Sequence, residues 1–178
     1  MAARVLEVLA SRGETLATAE SLTGGLLSAR LTDVPGASRS FVGGVVSYAT
    51  RVKVSVLGVP DGVVAEHGVV SEECALAMAR GVRDRFDATW GLATTGVAGP
   101  DPQEGRAVGT VWVAVAGPTG ARAGLLDLAG DRTAIREATC AAVLEMLVDE
   151  LDGGQGGGRQ EARPRESEVS RREEGGLG

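Results

Sequence analysis

Strand-like runs alternate with amphipathic helix-like runs through the first two thirds of the chain, and polar, glycine-rich loops fall where the strands end. That order constrains the fold more than any other feature. It is the order of an open α/β sheet, in which ligands bind in the crevice at the carboxyl ends of the strands. Ala2 to Arg12 carries Val5, Leu6 and Leu9 at helical spacing and stops at Gly13. A strand over Glu14 to Glu20 then delivers Ser21, and Leu27, Leu31 and Val34 share one face of a helix that begins at Gly24 and ends at Pro35-Gly36. Phe41 to Tyr48 is a near-continuous β-favouring run, expected of a strand covered on both faces.

A short helical segment from Thr50 to Leu57 follows and carries Lys53; the polar stretch from Asp61 to Gly68, with His67, reads as a connection between helices. Ser71 caps the next helix, through about Arg85, and Ala88 to Thr95 is a further strand. Gly109 to Ala116 and Ala121 to Leu128 form a hairpin, and Asp131 caps a last helix whose buried face is Ile135, Thr139, Ala142, Val143, Met146 and Leu147. The domain is expected to span residues 1–152. Gly153 to Gly178, with five Arg, five Glu and a glycine run, has almost nothing to bury and is expected to be disordered.

Three loops edge the expected crevice: Glu20 to Gly25, Tyr48 to Lys53, and Thr94 to Pro100. In the first, Ser21 or Thr23 is expected to cap the following helix, while Gly24 and Gly25 let a ligand approach backbone N–H groups that have no partner within it. Gly130-Asp131-Arg132, opening the last helix, adds a guanidinium.

Composition narrows the chemistry. Seventeen of the eighteen basic residues are Arg, so Lys53 is the only lysine, and Tyr48 and His67 are also the only residues of their kinds. A GC-rich genome accounts for the scarcity of Lys, but not for the retention of one where Arg would serve; Lys can act as a base and Arg cannot. A net charge of −6 argues against nucleic acid as a partner. No apolar run approaches the roughly 18 residues of a membrane span, and the charged start is unlike a signal peptide, so a cytoplasmic location is expected. Cys74 and Cys140 sit in helix-like stretches as buried, reduced thiols, and two Cys with one His make no familiar zinc cage. No metal and no cofactor are expected.

A Ser-His-Asp triad would have to recruit His67, and neither glycine-rich loop has the Lys of a phosphate-binding P-loop. A Ser nucleophile activated by Lys53, with Tyr48 as proton relay or orienting group, uses side chains that the chain supplies, provided Lys53 is desolvated enough to populate its neutral form. The alternative from a different class is a nucleotide-binding or regulatory module that uses the same crevice without turnover.

Six motifs in order from about residue 3 to 150 carry a family resemblance: Thr-Ala-Glu-Ser-Leu-Thr-Gly-Gly, Val-Ser-Tyr-Ala-Thr-Arg-Val-Lys with Leu-Gly-Val-Pro, Gly-Val-Val-Ser-Glu-Glu, Thr-Thr-Gly-Val-Ala-Gly-Pro, Val-Gly-Thr-Val-Trp-Val-Ala, and Gly-Asp-Arg. Together they resemble the CinA C-terminal domain family. The resemblance implies a three-layer α/β/α sandwich with a mixed, mostly parallel sheet. It also implies hydrolysis of the carboxamide of nicotinamide mononucleotide to nicotinate mononucleotide and ammonia. By motif position Ser21 resembles the family's nucleophile, Lys53 its base and Tyr48 the partner of that base. Thr23, Gly24, Thr95, Gly96 and Arg132 resemble positions that hold the nucleotide substrate; Glu20 and Gly25, on the same crevice edge, are expected to join them. Asp101-Pro-Gln-Glu-Gly105 stands where the family usually has a glycine run, and Leu22 where it often has Cys. The larger N-terminal domain often fused in this family is not in the sequence, so the chain resembles the stand-alone form; a homo-oligomer, dimer or trimer, is expected.

Overall fold

The computed structural model describes residues 1–153, and the expectation of a disordered tail falls on residues that, apart from Gly153, lie outside this range. The elements are α1 (Ala2–Arg12), β1 (Leu16–Glu20), α2 (Leu26–Thr32), a 3₁₀ turn (Ala37–Arg39), β2 (Phe41–Val46), α3 (Thr50–Leu57), α4 (Asp61–His67), α5 (Glu72–Arg85), β3 (Trp90–Gly96), β4 (Thr110–Gly117), β5 (Gly120–Asp127) and α6 (Arg132–Gly153). The sheet order is β2-β1-β3-β4-β5. β1 pairs in parallel with both β2 and β3, whereas β3 to β4 and β4 to β5 are antiparallel, so β4 alone runs against the other four strands. The sheet is mixed and mostly parallel in direction, with helices on both faces, which is the three-layer α/β/α arrangement.

The two faces are built differently. On one, Leu16, Leu92, Val111, Val113 and Val115 meet Val5 and Leu9 of α1 and Ile135, Val143 and Leu147 of α6. Large side chains fill that layer, each fully buried one contributing about 1.5–3 kcal/mol. On the other, Ala17, Ala19, Ala93, Ala114 and Ala116 present a low surface to Cys74, Met78 and Val82 of α5. Small residues let α5 lie close to the strands. A Cβ at Gly91 would collide with the Ala79 carbonyl of α5, and one at Gly81 with the Leu57 carbonyl at the end of α3.

Local signals account for most element ends. Gly13 closes α1 in the left-handed region at φ 66°, Ser71 caps α5 through the Cys74 N–H, and Asp131 Oδ1 caps α6 by accepting from the Ala134 N–H. Two elements differ from expectation. α4 forms where a polar connection was expected; its seven residues include no buried one, so no apolar stripe marks it. β2 is an edge strand with alternating exposure instead of one covered on both faces, and Val42 and Val46 are 45% and 49% exposed. Its Val-rich run reads as central because Val42, Gly44 and Val46, not charges, fill the exposed alternate positions. Among the described residues no helix is long and apolar enough to cross a membrane.

Candidate active site

The chain reverses its direction across the sheet at β1, going first to β2 and then back past β1 to β3, and the crevice opens at the carboxyl ends of these three parallel strands. β1 ends at Glu20 and hands over Ser21, β2 leads into Ser47 and Tyr48, and β3 ends with Thr94, Thr95 and Gly96. α3 then carries Lys53 back under the opening. The cavity between these loops is about 130 Å³, smaller than the roughly 300–1,000 Å³ of drug-sized sites, and it opens to solvent at the mouth.

Lys53 is the central feature. It is 1% exposed, and its Nζ lies 2.9 Å from Ser21 Oγ and 2.6 Å from the Ser47 carbonyl oxygen. Burial holds its pKa below the usual lysine value, opposed by the negative charge that Cys74 acquires on ionisation and by that of Glu104. Cys74 is itself pushed up to about 11 by burial, so at neutral pH it is an uncharged thiol. Cys140, pushed up to about 12 by burial, is likewise inert, and both cysteines are free and buried as expected.

The structure separates the other expected residues. Tyr48 and Arg132 meet at the mouth: Tyr48 is 61% exposed, its hydroxyl accepts from Arg132 Nη2 at 2.9 Å, and Arg132 Nη1 donates to the Gly99 carbonyl at 2.8 Å. Tyr48 thus bonds to Arg132 and not to Ser21 or Lys53. Thr95 and Gly96 line the crevice, with the Thr95 hydroxyl donating to the Val69 carbonyl at 2.6 Å. Thr23 is buried beside the crevice with its hydroxyl 2.8 Å from that of Thr94.

Glu20 is a correction. It is fully buried and points away from the opening: Oε2 accepts from the N–H groups of Gly25 and Leu27 at 2.9 and 3.0 Å, and Oε1 from the N–H and hydroxyl of Ser28 at 2.8 and 2.6 Å. This carboxylate, and neither Ser21 nor Thr23, caps α2. Gly24 and Gly25, at φ 58° and 96°, turn the chain over it, and neither lines the crevice. The helix start is thereby closed to an anion; instead, among the described residues, the Leu22 N–H beside Ser21 has no protein acceptor. Glu20→Ala is expected to lower stability by about 3 kcal/mol or more, since it strands three N–H groups at once. Chemical denaturation against wild type measures this; a loss below about 1 kcal/mol would show that Glu20 does not hold the start of α2.

Sequence reasoning missed Arg136, whose Nε and Nη2 donate to the Leu22 and Thr23 carbonyls at 3.1 and 2.6 Å. Its signal was available, because it lies one helical turn beyond Arg132 and so shares its face. Ser47, whose carbonyl orients Lys53, and Glu104, whose carboxylate accepts from the Val69 N–H at 2.9 Å, had no such signal.

A family profile described as the CinA C-terminal domain matches residues 1–151. A CinA-like protein of Frankia casuarinae is 55% identical over 149 residues, covering 84% of this chain and 34% of that protein. A CinA-like protein of Myxococcus xanthus is 46% identical over 154 residues, with 84% and 36% covered. The chain therefore spans about a third of the length of these relatives. Among solved structures, the competence/damage inducible protein CihA of Agrobacterium tumefaciens matches with a TM-score of 0.81 and 35% identity over 85% of this chain and 93% of that one. A competence-damaged protein (CinA) superfamily protein of Klebsiella pneumoniae matches with a TM-score of 0.83 and 32% identity, over 85% and 96%.

Proposed function

Because the chain belongs to the CinA C-terminal domain family, we propose that it is an amidohydrolase that deamidates nicotinamide mononucleotide to nicotinate mononucleotide and ammonia through a Ser21 nucleophile and a Lys53 base. One observation supports this above the others: the only lysine of the chain is buried with its amine 2.9 Å from Ser21 Oγ. As an ammonium, Lys53 donates to that oxygen. As a neutral amine it keeps an N–H on the Ser47 carbonyl and turns its lone pair to Ser21, which makes nucleophile, base and orienting group a linear set.

The chemistry then balances in two halves. Ser21 Oγ adds to the carboxamide carbon as its proton passes to Lys53, and we assign the Leu22 N–H as donor to the developing oxyanion. Lys53 returns the proton to the departing nitrogen, the C–N bond breaks, and ammonia leaves an acyl-Ser21 ester. Water, losing a proton to Lys53, cleaves the ester to nicotinate mononucleotide and restores Ser21. Arg132 has two of its five N–H donors engaged, on Gly99 and Tyr48, and the remainder suit the substrate phosphate at the mouth.

The test is ammonia and nicotinate mononucleotide formation from nicotinamide mononucleotide in the presence of a chelator. Stoichiometric release of both is expected. Saturable binding of the nucleotide without either product would overturn the reading in favour of a binding module.

A further inference from the structure

The loop that stands where the family usually has a glycine run forms one wall of the crevice, with Asp101 and Gln103 in its lining. It folds back on itself at Gln103-Glu104-Gly105-Arg106: the Gln103 N–H donates to the Arg106 carbonyl at 3.2 Å and the Arg106 N–H to the Gln103 carbonyl at 2.8 Å. Both central residues have positive φ, 51° at Glu104 and 72° at Gly105. A tight turn of this hand favours Asn, Asp or Gly at its first central position, because a longer L side chain strains there. A glutamate in that place needs a reason, and its side chain supplies one.

Glu104 Oε2 accepts from the Val69 N–H at 2.9 Å, and the carbonyl of the same Val69 accepts from Thr95 at the end of β3. Val69 is thus gripped from both sides, by the loop and by the sheet. The fit is close, since a Cβ on Gly68 would come within 2.7 Å of Glu104 Oε2. The carboxylate also reaches Lys53 electrostatically. Of the titratable and charged groups around that amine, Cys74 on α5 is neutral below about 11, and Tyr48, Asp101 and Arg132 stand around the same crevice. Of the two groups that oppose the effect of burial on Lys53, Glu104 is therefore the one that carries charge at neutral pH.

We propose that Glu104 is a positioning residue for the reaction, anchoring the Gln103-Arg106 turn to the Val69 N–H and so holding the crevice wall against the end of β3. Its consequence in turnover rests on the Ser21-Lys53 reading; the anchoring does not. Glu104→Gln keeps an oxygen for the Val69 N–H, and Glu104→Ala removes it. Glu104→Ala is expected to speed hydrogen exchange at the Val69 N–H and to raise KM for nicotinamide mononucleotide several-fold at little change in kcat, and Glu104→Gln to restore both to near the wild-type values. Both variants also remove the charge, so the titration midpoint of Lys53, followed as the single lysine resonance of the chain, is expected to fall in each. Val69 exchange in Glu104→Ala as slow as in wild type overturns the proposal. Faster exchange in a protein that does not turn over the nucleotide upholds the anchoring and rejects the amidohydrolase reading alone.

Discussion

Ser21→Ala is expected to lose turnover of nicotinamide mononucleotide by more than about 1,000-fold while binding the nucleotide with nearly unchanged affinity. The substitution removes the only atom that attacks, so the covalent route closes, whereas the groups suited to hold phosphate and ribose stay in place. The fold should not suffer. Ser21 Oγ caps no helix, since the N–H groups of α2 that a cap would serve are held by Glu20, and the backbone N–H of Ser21 keeps its bond to the Thr94 carbonyl at 2.9 Å. Single-turnover measurements with the alanine variant, beside calorimetric binding, read both halves of the expectation. Turnover within about tenfold of wild type would show that water, and not Ser21, attacks the amide.

Lys53→Arg and Lys53→Met separate charge from proton transfer. Arg keeps a cation but cannot become a base near neutral pH, and Met keeps an unbranched stem with no amine, so both are expected to lose roughly 100- to 10,000-fold in rate. The stability of wild type relative to Lys53→Met should also depend on pH. Burial lowers the folded-state pKa of Lys53 below its unfolded value, so the folded protein carries a cost wherever the buried amine holds its proton. That cost is fully present below the lowered folded value and disappears as pH rises from it towards the unfolded lysine value of about 10.5. Wild type should therefore gain stability relative to Lys53→Met across that window, narrowing any advantage of the Met variant. The activity of wild type should rise with pH through the same lowered value, because the neutral amine is the working form. Thermal midpoints and initial rates collected between neutrality and pH 10 check both. An arginine variant within a few-fold of wild type would remove Lys53 from the mechanism.

The parts of this site that were legible in the sequence are those where one residue type has few alternative explanations. A single lysine among seventeen arginines, and a Ser-Leu-Thr-Gly-Gly turn at a strand end, point to a Ser-Lys pair, and the two side chains lie 2.9 Å apart. Glu20 was not legible as a cap, because it serves N–H groups five to eight residues ahead, beyond the reach of any local capping pattern. A carboxylate beside a nucleophile looks like chemistry; only its burial shows that it holds the helix start. Tyr48 was placed near Lys53 by chain proximity, and the structure turns its hydroxyl outward to Arg132. The fold was read well where periodicity was strong, as in α1 and α5, and poorly where it was weak, as in α4. β2 misled because composition reports β-favouring residues and not which strand has a neighbour on each side.

Arg136 has a consequence for how the molecule comes into being. The turn that carries Ser21 is held through its Leu22 and Thr23 carbonyls by a side chain synthesised more than a hundred residues later. Arg132, from the same helix, closes the mouth onto Gly99 and Tyr48. A nascent chain that has emerged only as far as β5 already contains Ser21 and Lys53 but not the side chain that holds the turn after Ser21. Chains cut short by stalled translation, or clipped within α6 before Arg136, should accordingly leave this turn unfixed, so that the proposed Ser21-Lys53 site is completed only when the whole domain has been made.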